Sequence, residues 1–462
     1  MKPVALTLLA LALTGCSMAP TYERPAAPVP AAYDTPAQSG QAEMPQDWKD
    51  YFNDPALQAW IAAALANNRD LRVAALRIEE ARALYGVQRA DRLPSVDGTA
   101  GYSRSRASDP GPSRDAISQQ YRAGVGITAF ELDFFGRVKS LTDAALERYL
   151  ASAEAHRAAA LSLVAETATA YFNERSLAEQ QRLTRGTLEL RETTLALTQR
   201  RYDAGLETAM GLRTAQMLVE SSRATLAELS REHSQAVHAL GLLAGDFSLP
   251  PGADPTPLES QSLTPLAAGL PSALLTRRPD LRQAENTLKA ANADIGAARA
   301  AFFPSVQLTT DIGSTASSFS DLFGSGSGVW QFAPKLTLPI FNAGRNSANL
   351  SLAETRKHIA VAQYEGSIQT AFREVADALS ARDALRQQIE AQRKVRDADR
   401  ERQRLAERRY ARGVANYLEM LDAQRSLFES EQEFIRLQQR RLVNAVTLYK
   451  ALGGWEQGSG AS

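Results

Sequence analysis

Residues 304–345 read PSVQLTTDIGSTASSFSDLFGSGSGVWQFAPKLTLPIFNAGR. Val306, Leu308, Thr310 and Ile312 alternate with Ser305, Gln307, Thr309 and Asp311. After a Ser- and Gly-rich interval, Trp330, Phe332, Leu336, Leu338 and Ile340 alternate with Gln331, Ala333, Lys335 and Thr337. Alternation with a period of two puts apolar side chains on one face of a strand and polar ones on the other. Runs of about 9–12 residues are long enough to cross a membrane as barrel strands, apolar outside and polar toward a lumen. A soluble sheet with one buried face would give the same pattern, so both readings stand at this point.

The stretch has an earlier counterpart. Val96, Gly98, Ala100 and Tyr102 alternate with Ser95, Asp97, Thr99 and Ser103, and Tyr121, Ala123, Val125, Ile127 and Ala129 alternate with Arg122, Gly124, Gly126 and Thr128. The likeness extends outward. Asp70-Leu71-Arg72 recurs as Asp280-Leu281-Arg282, Gly86 with Arg89-Ala90 as Gly296 with Arg299-Ala300, and Pro94-Ser95-Val96 as Pro304-Ser305-Val306, all offset by 210. From Gly136-Arg137 and Gly344-Arg345 onward the offset is 208, through Arg200-Arg201-Tyr202 with Gly205 and Arg408-Arg409-Tyr410 with Gly413, to Gly245 and Gly453. The chain is an internal duplication of a unit too long for an ordinary solenoid repeat.

The segment after each strand pair reads as helix. None of the 21 prolines lies between 113 and 249 or after 339, and a proline inside a helix costs about 3 kcal/mol. Arg137 to Arg200 is 64 residues, about 96 Å as one helix at about 1.5 Å per residue. Leu421, Phe428, Ile435, Leu442 and Tyr449 repeat every seven residues, as do Leu212, Val219, Leu226 and Leu240 with His233 filling one step. A sustained seven-residue seam needs partner helices, and His233 reads as a seam residue, not a ligand. Four strands cannot close a barrel, since the smallest have about eight, so three chains of four are expected to build twelve.

Composition narrows the function. The 462 residues carry 52 Lys+Arg against 52 Asp+Glu, which disfavours a nucleic-acid binder. One cysteine and 4 histidines, without HxxxH or HExxH spacing, leave no metal motif, and no phosphate loop, nucleophile elbow or complete GxGxxG is present. No enzyme, cofactor or metal is expected. Beyond the N-terminal segment there is no run of about 18 apolar residues to form a membrane helix. Lys2, the apolar run Val4–Leu13 and Leu13-Thr14-Gly15-Cys16 describe a signal peptide over 1–15 ending in a lipobox, with Cys16 as the acylated residue and Ser17 favouring the outer membrane. Residues 16–47, rich in Pro and Ala, read as an extended tether without a core of its own.

Together these features resemble the outer-membrane factor family of TolC-like channels, and within it the OprM-like, NodT-type efflux lipoproteins. The motifs that carry the resemblance are Gly15-Cys16-Ser17 with Ala19-Pro20-Thr21-Tyr22 and Arg24-Pro25; Arg278-Pro279-Asp280-Leu281; Phe302-Phe303-Pro304; and Pro339-Ile340-Phe341. They continue with Arg409-Tyr410, Gly413-Val414, Tyr417-Leu418 and Leu421-Asp422-Ala423-Gln424, and end on Leu452-Gly453-Gly454-Trp455. The resemblance implies an α+β membrane channel, a homotrimer with a 12-stranded outer-membrane barrel and a long periplasmic coiled-coil barrel. It implies transmembrane hairpins at 94–135 and 304–343 and helical hairpins at 136–245 and 344–452. Belt and short tunnel helices fall at 48–93 and 246–303, and a tail at 453–462. Its partners would be outer-membrane lipid, a periplasmic adaptor and an inner-membrane pump of the RND type. Its task would be passive export of drugs or other toxic small compounds, with heavy-metal efflux, type I secretion or a barrel-free scaffold lipoprotein as alternatives.

The resemblance also assigns sites. Arg409, Leu418 and Asp422 match a periplasmic gate of linking arginine, apolar ring and acidic ring, and Leu418 and Asp422, four apart, share a helix face. The first copy has Met210 and Thr214 there, so its hairpin lacks the acid. Gly205, Gly413, Tyr202 and Tyr410 fall at the helix turns, where the adaptor contact is expected.

Overall fold

The computed structural model describes residues 17–33, 45–106, 117–248, 257–266, 271–412, 414 and 417–455. In chain order the elements are α1 (Trp48–Tyr51), α2 (Pro55–Asn67), α3 (Arg69–Ala90), β1 (Asp97–Arg106), β2 (Ile117–Leu132), α4 (Arg137–Asp203) and α5 (Ala209–Ala244). Then come α6 (Pro271–Arg277), α7 (Pro279–Ala300), β3 (Ser305–Ala316), β4 (Gly328–Thr337), α8 (Arg345–Ala411) and α9 (Tyr417–Ala451). The order repeats once, and α4 and α8 each run 67 residues. No described helix is apolar enough to cross a membrane. Two compact units form, one from Met1–Ala26, Leu76–Glu154 and Arg282–Gly366, the other from Ala27–Ala75, Ala155–Leu281 and Ser367–Ser462.

The first unit holds one antiparallel sheet in the order β1-β2-β3-β4, leaving β1 and β4 as open edges. Its register gathers Ala100, Tyr102, Tyr121, Ala123, Val125, Val306, Leu308, Ile312, Trp330, Phe332 and Leu336 on one face. The other face carries Asp97, Thr99, Arg122, Gln307, Asp311, Gln331 and Lys335, with Arg122 and Asp311 paired at 2.5 Å. Among the described residues nothing covers this end of the apolar face, where Trp330 is 78% exposed. Two details differ from the plain alternation read in the sequence. Ala129 does not continue the apolar row: it sits at φ 53°, and the register slips between Ile127 and Phe130. This bulge moves Phe130 and Leu132 opposite Leu308 and Val306, onto the apolar face, because one extra residue flips the side-chain parity. At the other edge β4 ends at Thr337, so Leu338 and Ile340 lie beyond the strand.

Of the N-terminal segment, residues 17–26 are docked and do not hang free. Arg24 donates two hydrogen bonds of 2.9 Å to Glu285 on α7, the Tyr22 hydroxyl donates a third at 3.2 Å, and Asn292 Nδ2 donates to Pro20 O at 2.7 Å. Ala19 lies so close to Gly296 that a Cβ there would stand 2.7 Å from its nitrogen. Glu285 is 6% exposed, and burial, with the Glu285 charge adding to it, pushes the Tyr22 phenol well above its usual range. Arg24→Ala would leave a buried carboxylate without its strongest donor, a loss of about 1–3 kcal/mol. The expected result is faster hydrogen exchange and proteolysis over residues 17–26; unchanged protection would show that the clasp is not held by this pair.

The second unit shows the duplication at the level of single contacts. Asn68 Nδ2 donates to Leu243 O at 3.0 Å in the first copy; at the equivalent places Arg278 Nη1 donates to Ala451 O at 3.2 Å. Arg278 also binds Asp280 and Glu374 at 2.6 Å each, which explains the Arg-Pro-Asp-Leu motif as a buried clamp. Gly245 packs on Asn67 and its counterpart Gly453 on Arg277. Around the end of α9, Tyr449 stacks on Tyr51 with ring centroids 4.3 Å apart. Asp54 accepts from Tyr171 at 2.7 Å and Gln261 at 2.8 Å. Burial alone would raise the Asp54 carboxyl, but these bonds and the Ala56 amide outweigh it and hold it below its usual value. The strap 257–261 is tied by Arg441 to Leu258 O and Gln261 O, and by Glu259 to Arg393 and Arg396.

Candidate functional site

Two helix-to-helix turns, both within the second unit, form the candidate site. α4 ends in a turn in which Gly205 takes φ 74°, Leu206 N donates to Arg201 O at 2.7 Å and Gly205 N to Tyr202 O at 2.9 Å. This left-handed closure satisfies carbonyls that the helix leaves unpaired. Thr208 then caps α5 by accepting from Gly211 N at 3.0 Å. α8 ends in the same way, with Val414 N donating to Arg409 O at 2.9 Å. Gly413, the matching turn glycine, lies outside the described residues, as does Cys16.

The side chains of the two turns are not equivalent. Arg409 Nη1 binds Glu419 Oε1 at 2.7 Å, joining the end of α8 to the start of α9. The residue matching Glu419 in the first copy is Gly211, so Arg201 lies over the Tyr410 ring at 5.4 Å instead. Tyr410 faces Tyr417 at 5.7 Å and packs against the buried cluster Ala215, Tyr417, Met420 and Leu421. Its counterpart Tyr202 is exposed. Leu418 is 62% exposed and the matching Met210 78%; Leu206 and Val414, another matched pair, are exposed too. Each turn therefore presents an apolar pair to its surroundings.

Asp422 is not a solitary acid. Arg402 of α8 binds one carboxylate oxygen and Arg425 of α9 the other, the latter at 2.9 Å; Arg402 also reaches Ser426 at 3.2 Å. The positions matching Arg402 and Asp422 in the first copy are Thr194 and Thr214, whose hydroxyls donate to the carbonyls of Leu190 and Met210 in their own helices. Further along, the two hairpins carry one ion pair at equivalent positions with its polarity reversed: Glu192 with Arg223 in the first, Arg400 with Glu431 in the second, both at 2.8 Å. Sequence reasoning missed Arg402, Arg425 and Glu419. Arg425 was accessible from its three-residue spacing to Asp422. Arg402 and Glu419 depend on how α8 and α9 face each other across the turn, which spacing along one helix does not report.

His233 meets the buried Glu174 at 2.8 Å, in keeping with a seam residue. Among the described residues no group of three or more His, Cys, Asp or Glu side chains could hold a metal ion.

A family model described as "Outer membrane efflux protein" matches the chain twice, over residues 60–246 and 270–454, the two copies of the duplication. The chain is 48% identical over 461 residues to outer membrane protein OprJ of Pseudomonas aeruginosa, covering 98% of this chain and 96% of that one. It is 44% identical over 466 residues to the toluene efflux pump outer membrane protein TtgC of Pseudomonas putida, covering 99% and 96%. Among solved structures, the open state of the MtrE outer membrane channel of Neisseria gonorrhoeae superposes with a TM-score of 0.87 at 40% identity, covering 95% of this chain and 98% of that one.

Proposed function

The chain belongs to the outer membrane efflux protein family, and from that premise we infer that three copies form the outer-membrane exit channel of a tripartite efflux system. Each chain gives four strands to a twelve-stranded barrel and two helical hairpins to a periplasmic tunnel. The channel performs no chemistry; it conducts small toxic compounds that an inner-membrane pump of the RND type, through a periplasmic adaptor, delivers to it. The observation that carries this reading is the four-stranded sheet with one apolar face, one polar face and two open edges. Lipid tolerates such edges only when they are paired, and closure with two further copies pairs them. Val73, Leu76, Leu84 and Val87 on α3 are likewise exposed in the single chain, an apolar surface that a neighbouring copy would cover.

Within this reading Arg409, Leu418 and Asp422 form the gate, and the exposed turn residues near Gly205, Gly413, Tyr202 and Tyr410 receive the adaptor. Acyl chains on Cys16 would anchor the docked N-terminal segment to the inner face of the membrane. The reading is tested in a strain lacking its own exit channel. The expressed protein is expected to migrate as an SDS-resistant, heat-modifiable trimer from outer-membrane fractions and to restore resistance to toxic compounds. Intact mass is expected to begin at an acylated Cys16. A monomer with full β content would end the channel reading.

A further inference from the structure

The chain already contains one seam between its two duplicated halves. Within the first unit β2 of the first half pairs with β3 of the second, and α4 meets α7 through Arg148 with Asp294 and Arg282 with Glu154. The elements that would make the same seam on the other side are β4 with α8 and β1 with α3. In the sheet, β4 and β1 are the two edges.

The helices show the same imbalance. On α4, Ser140, Ala144 and Ala151 are buried, and Arg148 on the same stripe reaches α7. Ser140 Oγ lies so near Gly296 that a Cβ there would stand 2.6 Å from it. The matching stripe on α8, Ala348, Leu352 and Ile359, is exposed. Gly86 on α3, the counterpart of Gly296, is exposed too, with nothing within 4 Å of an added Cβ. Each half of a packed contact thus has an exposed duplicate at the opposite edge of the chain.

The duplication also fixes how the two edges align. β3 lies 210 positions after β1, and the residues of β4 next to Gly344 lie 208 after those of β2 next to Gly136. Below the bulge, Leu132↔Val306 and Phe130↔Leu308 become Ile340↔Val96 and Leu338↔Gly98. Above it the extra residue of β2 has to be discounted, since β4 has no bulge in its pairing with β3. Ile127↔Thr310 and Val125↔Ile312 then become Leu336↔Ala100 and Pro334↔Tyr102. The pairs from both sides of the bulge fall on one uninterrupted antiparallel ladder, and all of them put apolar-face residues opposite apolar-face residues. A slip of one residue would turn one strand's polar face toward lipid.

We propose that each copy joins the next by repeating its own internal seam. The trimer, on which the inference rests, closes through Ile340↔Val96, Leu338↔Gly98, Leu336↔Ala100 and Pro334↔Tyr102, β4 lengthens past Thr337 when it pairs, and Ala348 of one copy packs on Gly86 of the next. Leu84 of the next copy lies between Leu352 and Ile359, as Asp294 meets Arg148 between Ala144 and Ala151. Such head-to-tail contacts close into a ring when the rotation allows it.

The test is cysteine cross-linking of the purified SDS-resistant trimer, oxidised and then boiled without reductant. In one chain β1 and β4 stand three strand spacings apart, roughly 14 Å, so a disulfide between them must join two copies. Successive pairs of an antiparallel ladder alternate between wide and narrow spacing, so two neighbouring pairs are used: Leu336→Cys with Ala100→Cys, and Thr337→Cys with Thr99→Cys. At least one of them is expected to give linked dimers and trimers, about tenfold more than the pairs slipped by two residues, Leu336→Cys with Gly98→Cys and Thr337→Cys with Gly101→Cys. The single variants control for linkage through Cys16. Gly86→Leu, which meets nothing in its own chain, is expected to lower the trimer yield about tenfold.

A slipped pair that links better than both aligned pairs would overturn the register, as would an intact trimer in which neither aligned pair links. A normal trimer yield from Gly86→Leu would overturn the helix contact. Failure of the wild-type chain to form an SDS-resistant trimer would instead count against the channel itself.

Discussion

Gly313→Ala is expected to abolish the trimer. A Cβ on Gly313 would stand 2.2 Å from Ala123 O and 2.6 Å from Gly124 Cα, and both are backbone atoms that no rotamer change can move aside. Gly126 is seated similarly, 2.5 Å from Thr310 O and 2.7 Å from Asp311 Cβ, so β2 and β3 approach each other here because Gly124 and Gly313 face each other without side chains and Gly126 leaves room for Asp311. A methyl group would force the strands apart at the middle of the sheet, at Gly124↔Gly313. In lipid the broken ladder cannot turn to water, and each unsatisfied backbone group costs several kcal/mol. The SDS-resistant trimer in outer-membrane fractions should fall by more than about tenfold, since even 1.4 kcal/mol is a factor of ten. Gly101→Ala, with nothing within 4 Å of its added Cβ, should assemble. A normal yield of Gly313→Ala trimer would mean that the strands do not approach this closely.

At the turns, Arg409→Ala and Leu418→Ala are expected to raise conductance in planar bilayers. The Arg409–Glu419 pair is partly exposed, 54% and 41% by side chain, so each is worth at most about 1 kcal/mol. If opening splays α8 from α9, three such pairs break together, and losing them would move the closed-to-open ratio by up to about two orders of magnitude. Leu418→Ala should act by widening the apolar ring. Asp422→Ala should do something different. It removes the carboxylate but leaves Arg402 and Arg425 beside it, so ion preference should shift from cations toward anions, because a ring of charged side chains sets the sign of what passes. Arg402→Gln should shift it the other way. Thr214→Ala, in the hairpin that lacks the acid, should change neither property. Unchanged conductance and selectivity in all the second-copy variants would place the constriction elsewhere and leave Asp422 as a solvated acid.

The large features of this chain were legible because they are periodic. Strands that alternate every two residues, helices that no proline interrupts for over sixty residues and seams that repeat every seven residues all report local geometry, and local geometry is what sequence spacing encodes. Duplication made the reading firmer, since each copy could be checked against the other. The irregular places were less legible. The bulge at Ala129 breaks alternation without a glycine or proline to mark it. The docking of residues 17–26 depends on Arg24 finding Glu285, 261 positions away, on an α7 face whose chemistry is ordinary in sequence.

By itself the sequence determined where the strand pairs and the long helices lie, the two-fold repetition and which copy holds the acid Asp422. Only the tertiary structure decided the partners: Arg402 and Arg425 for Asp422, Glu419 for Arg409, and the glycine contact that lets β2 and β3 meet. Element type follows from interactions within a few residues of one another. Pairing between separate segments depends on register and on how helices face each other, so the same residues set one turn slightly differently would find other partners.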